Sequence, residues 1–376
     1  MARKALFIFG TRPEAIKLCP VILRLRSLPS EFEVKVCVTA QHRELLDQVL
    51  EAFGIKPDWD LGLMLPGQTL FQSTSRIVAG LGPVLEAEKP DLVLVQGDTT
   101  TTLCGALAAF YCKIPVGHVE AGLRTGDILQ PFPEEMNRLL ATRLATLHFA
   151  ATPGAARNLV SEGVPIEDIS VTGNSGIDAV LYVRDGLESG RLKGVDGLGL
   201  DPRRKLVLVT AHRRESFGAG FEQIVSALAR LAHREDVEIV YPVHPNPNVR
   251  EPVYRALAGL NNVLLIEPLS YVPFVDLMRR AHILLTDSGG IQEEGPSLGK
   301  PILVMRDKTE RPEAVEAGTV RLVGTDADRI VGQAELLLDD RDEYERMARV
   351  HNPYGDGRAS PRISDAILSF FGRYSS

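Results

Sequence analysis

Two carboxylate-bearing turns lie close together in the first half of the chain, Gln96-Gly97-Asp98-Thr99-Thr100-Thr101 and His118-Val119-Glu120-Ala121-Gly122-Leu123-Arg124-Thr125. A third acid, Glu134, follows in Pro131-Phe132-Pro133-Glu134-Glu135-Met136-Asn137-Arg138. Acids grouped around one site can take a proton from a substrate and return one to it. The first two turns each follow a short apolar run, 92–95 and 114–117, of the kind that forms buried parallel strands. Acids at the carboxyl ends of neighbouring parallel strands face the crevice in which open α/β sheets bind ligands.

Groups suited to an anion stand at three further turns. The first, Gly10-Thr11-Arg12-Pro13-Glu14-Ala15-Ile16-Lys17, departs from the G-x-G-x-x-G pattern of dinucleotide sites. It offers a tight glycine turn, a proline suited to a helix's first position, and two cations, Arg12 and Lys17, within reach of an anion at the helix amino terminus. An ordinary strand-to-helix turn with a surface Arg and Lys reads the same way. The second is Thr286-Asp287-Ser288-Gly289-Gly290-Ile291-Gln292-Glu293-Glu294. Its glycines let backbone amides approach a phosphate, and Glu294 is placed to accept from ribose hydroxyls. A solvated Ser-Gly-Gly cap is the bland alternative. At the third, Thr210-Ala211-His212-Arg213-Arg214-Glu215, a histidine and two arginines at a strand end suit a diphosphate, and His244 occupies the analogous edge of the next strand.

These turns need two sheets to carry them. Strand-like runs at 4–9, 34–38, 92–96, 115–119 and 147–150 alternate with helical segments, the first helix starting near Glu14. A second series runs through 205–210, 237–243, 263–266, 283–286 and 301–304, and a glycine-rich loop at 190–199 lies between the two. Alternation in two blocks predicts two doubly wound α/β domains facing a cleft. Residues 1–170 with a closing helix at about 360–376 form the first, and 171–359 the second, nucleotide-binding one. A chain of 376 residues also exceeds one ordinary core.

Composition narrows the classes. The net charge of −7 argues against a general nucleic-acid binder. No apolar stretch nears the roughly 20 residues that span a bilayer, and Met-Ala-Arg-Lys leads straight into a strand-like run without a signal-peptide pattern. Cys19, Cys37, Cys104 and Cys112 form no C-x-x-C pair and read as reduced, buried cysteines of a cytoplasmic protein.

Taken together, the ordered motifs resemble a known family. They are Gly10-Thr11-Arg12-Pro13-Glu14, Gln96-Gly97-Asp98-Thr99, His118 through Thr125, Pro133 through Arg138, Ala211 through Glu215, Asp287 through Glu294, and Arg306 through Arg311-Pro312-Glu313-Ala314. In this order, over nearly the whole chain, they are similar to the non-hydrolysing bacterial UDP-N-acetylglucosamine 2-epimerases. The resemblance implies a glycosyltransferase-B-like fold of two Rossmann-like domains, a homodimer, and a last helix returning to the first domain. It implies interconversion of UDP-N-acetylglucosamine and UDP-N-acetylmannosamine for cell-envelope polysaccharide. By the same resemblance Asp98, Glu120, Glu134 and His212 are catalytic. Arg12, Lys17, Arg138, Arg213, His244, Phe274, Ser288, Gly289, Gly290, Glu294 and Arg311 hold the substrate, with the base beside a loop at 271–274. Some members hold a second UDP-N-acetylglucosamine through a Gln-His-Arg segment, here Gln41, His42 and Arg43 followed by Glu44. The loop that carries a cation in such members has Gly67 here.

The implied chemistry suits the residues. Inverting C2 breaks a C–H bond with no adjacent carbonyl. Expelling UDP from C1 polarises that bond, and elimination gives 2-acetamidoglucal and UDP. Re-addition with a proton at the opposite face gives the epimer. A base, an acid and a cationic clamp suffice, so neither a metal nor another cofactor is expected. Carboxylates can bind magnesium, but no D-x-D-type cluster is present. A glycosyltransferase on the same fold, a hydrolysing epimerase, and a nucleotide-sugar sensor without turnover are the alternative readings.

Overall fold

The computed structural model describes residues 2–39, 43–63, 65 and 67–373, and the backbone alone of residues 43 and 44. Two compact units divide the chain. The first comprises the residues up to Ala179 and those from Gly355 on, and the second Val180–Tyr354.

In the first unit seven strands, β1 (Arg3–Phe9), β2 (Phe32–Val38), β3 (Trp59–Asp60), β4 (Leu92–Gln96), β5 (Val116–Ala121), β6 (Leu147–Ala150) and β7 (Ile169–Val171), form one sheet in the order β3-β2-β1-β4-β5-β6-β7. Every pairing is parallel. Helices cover the sheet, so its central strands are apolar on both sides. Leu6, Ile8, Val93 and Val95 share one core with Ile77, Leu81, Val84 and Leu85 of the helix Leu70–Glu88. Each such side chain contributes about 1.5–3 kcal/mol when fully buried.

The second unit repeats the plan with six strands: β8 (Lys205–Thr210), β9 (Val237–Pro242), β10 (Val263–Ile266), β11 (Ile283–Thr286), β12 (Ile302–Val304) and β13 (Val320–Leu322). Their order is β10-β9-β8-β11-β12-β13, again all parallel. Val207, Val209, Ile239, Tyr241, Ile283 and Leu285 pack with Phe221, Ile224 and Leu228 of the helix Ala219–Leu231. In both sheets the strand order reverses beside the first strand, at β1/β4 and at β8/β11. Ligand crevices of doubly wound sheets form at such switch points.

Three short strands, β3, β7 and β13, lie beyond the sequence expectation. With two or three residues each, they offer no run long enough to show a period. The first crossing between units falls inside the helix Ser175–Glu188, where no turn residue marks it. Cys112 departs from the expected burial: it is exposed just past the helix Thr100–Tyr111, whereas the other three cysteines are buried. Among the described residues no helix is long and apolar enough to cross a membrane.

The closing helix spans Ala359–Arg373 and packs on the helix Arg12–Arg26. Arg24 Nε donates to Ser364 Oγ at 3.1 Å. Buried Asp178 accepts from the amides of Ala359 at 3.1 Å and Ser360 at 2.7 Å, capping the helix from another element. Asp178→Ala leaves two buried donors without a partner. A loss of about 1–2 kcal/mol in denaturant unfolding is expected, with faster hydrogen exchange at Ala359 and Ser360. Unchanged stability and exchange would show that Asp178 does not dock this helix.

Candidate functional site

In the first unit, β4 and β5 are neighbours with Gln96 opposite Val119. Asp98 and Glu120 therefore leave adjacent strands at the same edge. Gly97, at φ 73°, makes the left-handed turn before Asp98. Glu120 is itself at φ 64°, where the pairing register with β6 shifts between Val119 and Ala121. A non-glycine residue held there costs on the order of 1–3 kcal/mol, and such strain gathers at functional positions. The bulge turns the Glu120 side chain away from the alternation of its strand, and Lys17 pairs with it.

Asp98 is held from three sides. Arg138 pairs with its carboxylate, and Asn137 Nδ2 donates to its carbonyl at 2.9 Å. The Gly97 carbonyl before it lies 2.7 Å from His118 Nε2. A carbonyl only accepts, so that nitrogen carries the proton. Burial holds the His118 imidazole down at about 4, so it stays neutral there. Its cross-strand neighbour His148 is likewise lowered by burial to about 4.

Glu134 begins the helix Glu134–Leu144. Asn137 and Arg138 stand three and four residues on, so they share its helix face. That face reaches Asp98, which ties Glu134 to the same edge. Its Oε2 is a buried oxygen with no partner among the described residues. A carboxylate oxygen left so is costly unless a ligand or proton uses it. Glu135 accepts from the amides of Thr125 at 3.0 Å and Gly126 at 3.2 Å and pairs with Arg138 at 2.7 Å.

The cations of this unit are placed differently from one another. Arg12 opens its helix half-buried, whereas the Lys17 ammonium lies on Glu120. Buried Arg138 spends its guanidinium on Asp98 and Glu135.

In the second unit, Asp287 and the turn Ser288-Gly289-Gly290 follow β11, and His212 and Arg213 follow β8, its neighbour. Asp287 is fully buried. Its Oδ2 accepts from the amides of His212 at 2.6 Å and Arg213 at 2.7 Å, welding the two turns together. His212 Nδ1 lies 3.6 Å from Asp287 Oδ1. The His212 ring stacks on His244 at 5.3 Å with a 10° tilt. Burial lowers the His212 pKa, against the pull of Asp287; His244 and Arg213 lower it further.

Segment 271–274 is not a loop but the first turn of the helix Tyr271–Arg280, with Phe274 half-buried. Ser270 precedes it as the cap residue, in extended backbone and without a side-chain capping hydrogen bond. Tyr271 Oη lies 3.5 Å from Glu294 Oε2, and Arg311 pairs with Glu293. Gln41 and His42 lie outside the described residues, and Glu44 is described only by its backbone, in the helix Arg43–Ala52. Among the described residues no three His, Cys, Asp or Glu side chains form a metal-holding group.

Glu14, His118, Asn137 and Asp287 act in this framework without standing out as site residues in the sequence. Each sits inside a motif, and only its partner across the fold shows what it does.

The family model described as UDP-N-acetylglucosamine 2-epimerase matches residues 26–368. The UDP-N-acetylglucosamine 2-epimerase of Escherichia coli (strain K12) is 59% identical over 369 residues, which is 97% of this chain and 98% of that protein. A UDP-GlcNAc 2-epimerase from Neisseria meningitidis, solved bound to UDP-GlcNAc, is 50% identical with a TM-score of 0.87, covering 97% of this chain and all of the other. An S. aureus MnaA–UDP co-structure is 47% identical with a TM-score of 0.83, covering 98% and 97%.

The glycines separate what the fold needs from what something outside it needs. A Cβ at Gly289 would meet nothing nearer than 3.7 Å, and one at Gly290 nothing nearer than 3.9 Å. At Gly122, with φ 88°, it would sit 2.3 Å from the Ala155 carbonyl oxygen. Gly289→Ala should therefore unfold within about 0.5 kcal/mol of wild type. Gly122→Ala should lose about 2 kcal/mol or more from clash and strain. Denaturant titration measures both, and a large loss at Gly289 would mean that the fold itself demands that glycine.

Proposed function

The chain belongs to the UDP-N-acetylglucosamine 2-epimerase family, and from the geometry of its two units we infer how it works. It is an isomerase of the non-hydrolysing kind, of glycosyltransferase-B-like fold, that interconverts UDP-N-acetylglucosamine and UDP-N-acetylmannosamine. One carboxylate of the first unit takes the C2 proton as the C1–O bond to UDP breaks. The electron pair of the broken C2–H bond forms the C1=C2 double bond of 2-acetamidoglucal, and UDP departs with the pair of the C1–O bond. UDP oxygen then adds back to C1 while a second carboxylate delivers a proton to the opposite face of C2.

The observation that carries this reading is the edge formed by Asp98, Glu120 and Glu134. Two of these acids are paired with half-buried or buried cations, and the third keeps an oxygen without a partner among the described residues. Paired acids are fixed in place before the substrate binds, which is what proton transfer at a defined face requires.

Holding the leaving group falls to the second unit. The amides of Ser288-Gly289-Gly290 take the diphosphate and Glu294 the ribose. His212, with Asp287 behind it, stabilises the charge that develops on the departing phosphate. Arg213, His244 and Arg311 add to the clamp, and Phe274 lies by the base. In the first unit Arg12 is a cation for the substrate, while Lys17 and Arg138 act on the acids that they pair with.

We place the enzyme in the cytoplasm as a homodimer, where activated sugars for envelope polysaccharide are made. Phe71, Phe110 and Tyr111, exposed on or at the ends of the first unit's helices, supply apolar surface for a second copy.

In heavy water, turnover should place deuterium at C2 of both epimers, because the proton taken from C2 exchanges before one is returned. NMR of the sugar ring reads this directly. Epimer formed with only the original hydrogen at C2 would overturn the elimination route with solvent exchange.

A further inference from the structure

Glu14 stands at the third position of the helix Arg12–Arg26, where a capping box places an acid. The box is formed: Thr11 N donates to Glu14 Oε2 at 2.8 Å, and the Glu14 amide faces Thr11 Oγ1 at 3.5 Å. A capping acid works on the surface and needs nothing beyond its own turn. This one is 1% exposed. Its Oε2 also accepts from Gly10 N at 3.1 Å. Its other oxygen leaves the helix altogether and accepts from Thr99 Oγ1 at 2.7 Å. Thr102 Oγ1 lies 3.3 Å from that oxygen but gives its one proton to the Gln96 carbonyl at 2.6 Å. Thr99 is thus the donor that matters, and Thr99 is the residue after Asp98.

One carboxylate therefore holds two turns that leave neighbouring strands. On one side are the amides of Gly10 and Thr11, next to Arg12. On the other is the hydroxyl that starts the helix Thr100–Tyr111, next to Asp98. The turns are pressed close: a Cβ on Gly10 would sit 2.2 Å from Thr39 Oγ1 and 2.8 Å from Thr101 Oγ1. Lys17, three residues on along the same helix face, pairs with Glu120. The same face thus reaches both carboxylate-bearing turns, one through Glu14 and one through Lys17. Burying an acid among neutral donors is costly, and burial raises the Glu14 pKa. Capping alone does not call for that cost.

We propose that Glu14 is a positioning residue for the epimerisation, which fixes Asp98 through Thr99 in register with the turn carrying Arg12. The proposal rests on the epimerase reading and on Asp98 as a proton-transfer group. A displacement of about 1 Å at a reacting group can cost on the order of 10²-fold in rate. Loss of Glu14 should therefore appear chiefly in kcat, because the main grip on the nucleotide is assigned to the second unit.

The test uses the full-length chain, UDP-N-acetylglucosamine as substrate and UDP as binding probe. Glu14→Met keeps the length of the side chain and removes the acceptors. Glu14→Gln can still accept from the two amides and donate to Thr99 Oγ1. The expected result is a fall in kcat of about tenfold or more for Glu14→Met, with KM and UDP affinity within about twofold, and recovery of most of that loss in Glu14→Gln. Thr99→Val cuts only the far side of the bridge, and Thr99→Ser keeps the hydroxyl. The first should lose kcat and the second retain it, so the test stands even where Glu14→Met fails to fold. The double variant Glu14→Met/Thr99→Val should lose little beyond Glu14→Met alone, because that change already cuts the link to Thr99. Folded Glu14→Met or Thr99→Val at wild-type kcat would overturn the proposal, as would losses confined to stability. A wild-type chain that does not epimerise would instead sink the reading on which the proposal rests.

Discussion

An acid that works away from bulk water must be partnered, or the fold moves to partner it. Asp98 and Glu120 meet this constraint with cations from two different helices, Arg138 of Glu134–Leu144 and Lys17 of Arg12–Arg26. Neither helix can slide along the sheet without uncovering a charge. Removing one partner of such a pair costs more than the about 0–1 kcal/mol of a surface pair, because it strands a poorly solvated charge. The strained backbone at Glu120 persists under the same restraint: bulge, pair and neighbouring strands over-determine it.

The two units solve a common problem in a common way. At each switch point a buried carboxylate of one turn accepts from paired amides. Glu14 takes Gly10 and Thr11 and extends to the turn after β4. Asp287 takes His212 and Arg213 from its own place after β11. Parallel strands bring these turns to one edge, and the carboxylates lock them there. Separate locks suit the separate duties proposed for the units, proton transfer in the first and the grip on the leaving group in the second.

Much of this was legible in the sequence because parallel strands buried on both faces leave unbroken apolar runs. β4, β6, β8 and β11 have the expected bounds for that reason, and the half-buried edge strand β10 is an unbroken apolar run as well. β3, β7 and β13 are too short to carry a pattern, and the crossing inside Ser175–Glu188 has no turn chemistry to announce it. The site's acids were legible as strand-end residues. Their restraints were not, since Glu14 and Thr99 are 85 positions apart and nothing local pairs them. The left-handed backbone of Glu120 was hidden for another reason: positive φ is a glycine signal, and no glycine stands there.

The division of labour between the units is tested most directly by titrating UDP calorimetrically into Asp98→Asn, Glu120→Gln, Glu134→Gln and Gly289→Val, and measuring the turnover of each. The three carboxylate variants should bind UDP nearly as the wild type does while losing about 10²-fold or more in turnover. Gly289→Val should lose UDP affinity. Equal loss of UDP affinity in Asp98→Asn and Gly289→Val, or near wild-type turnover in any carboxylate variant, would contradict the separation of chemistry from grip.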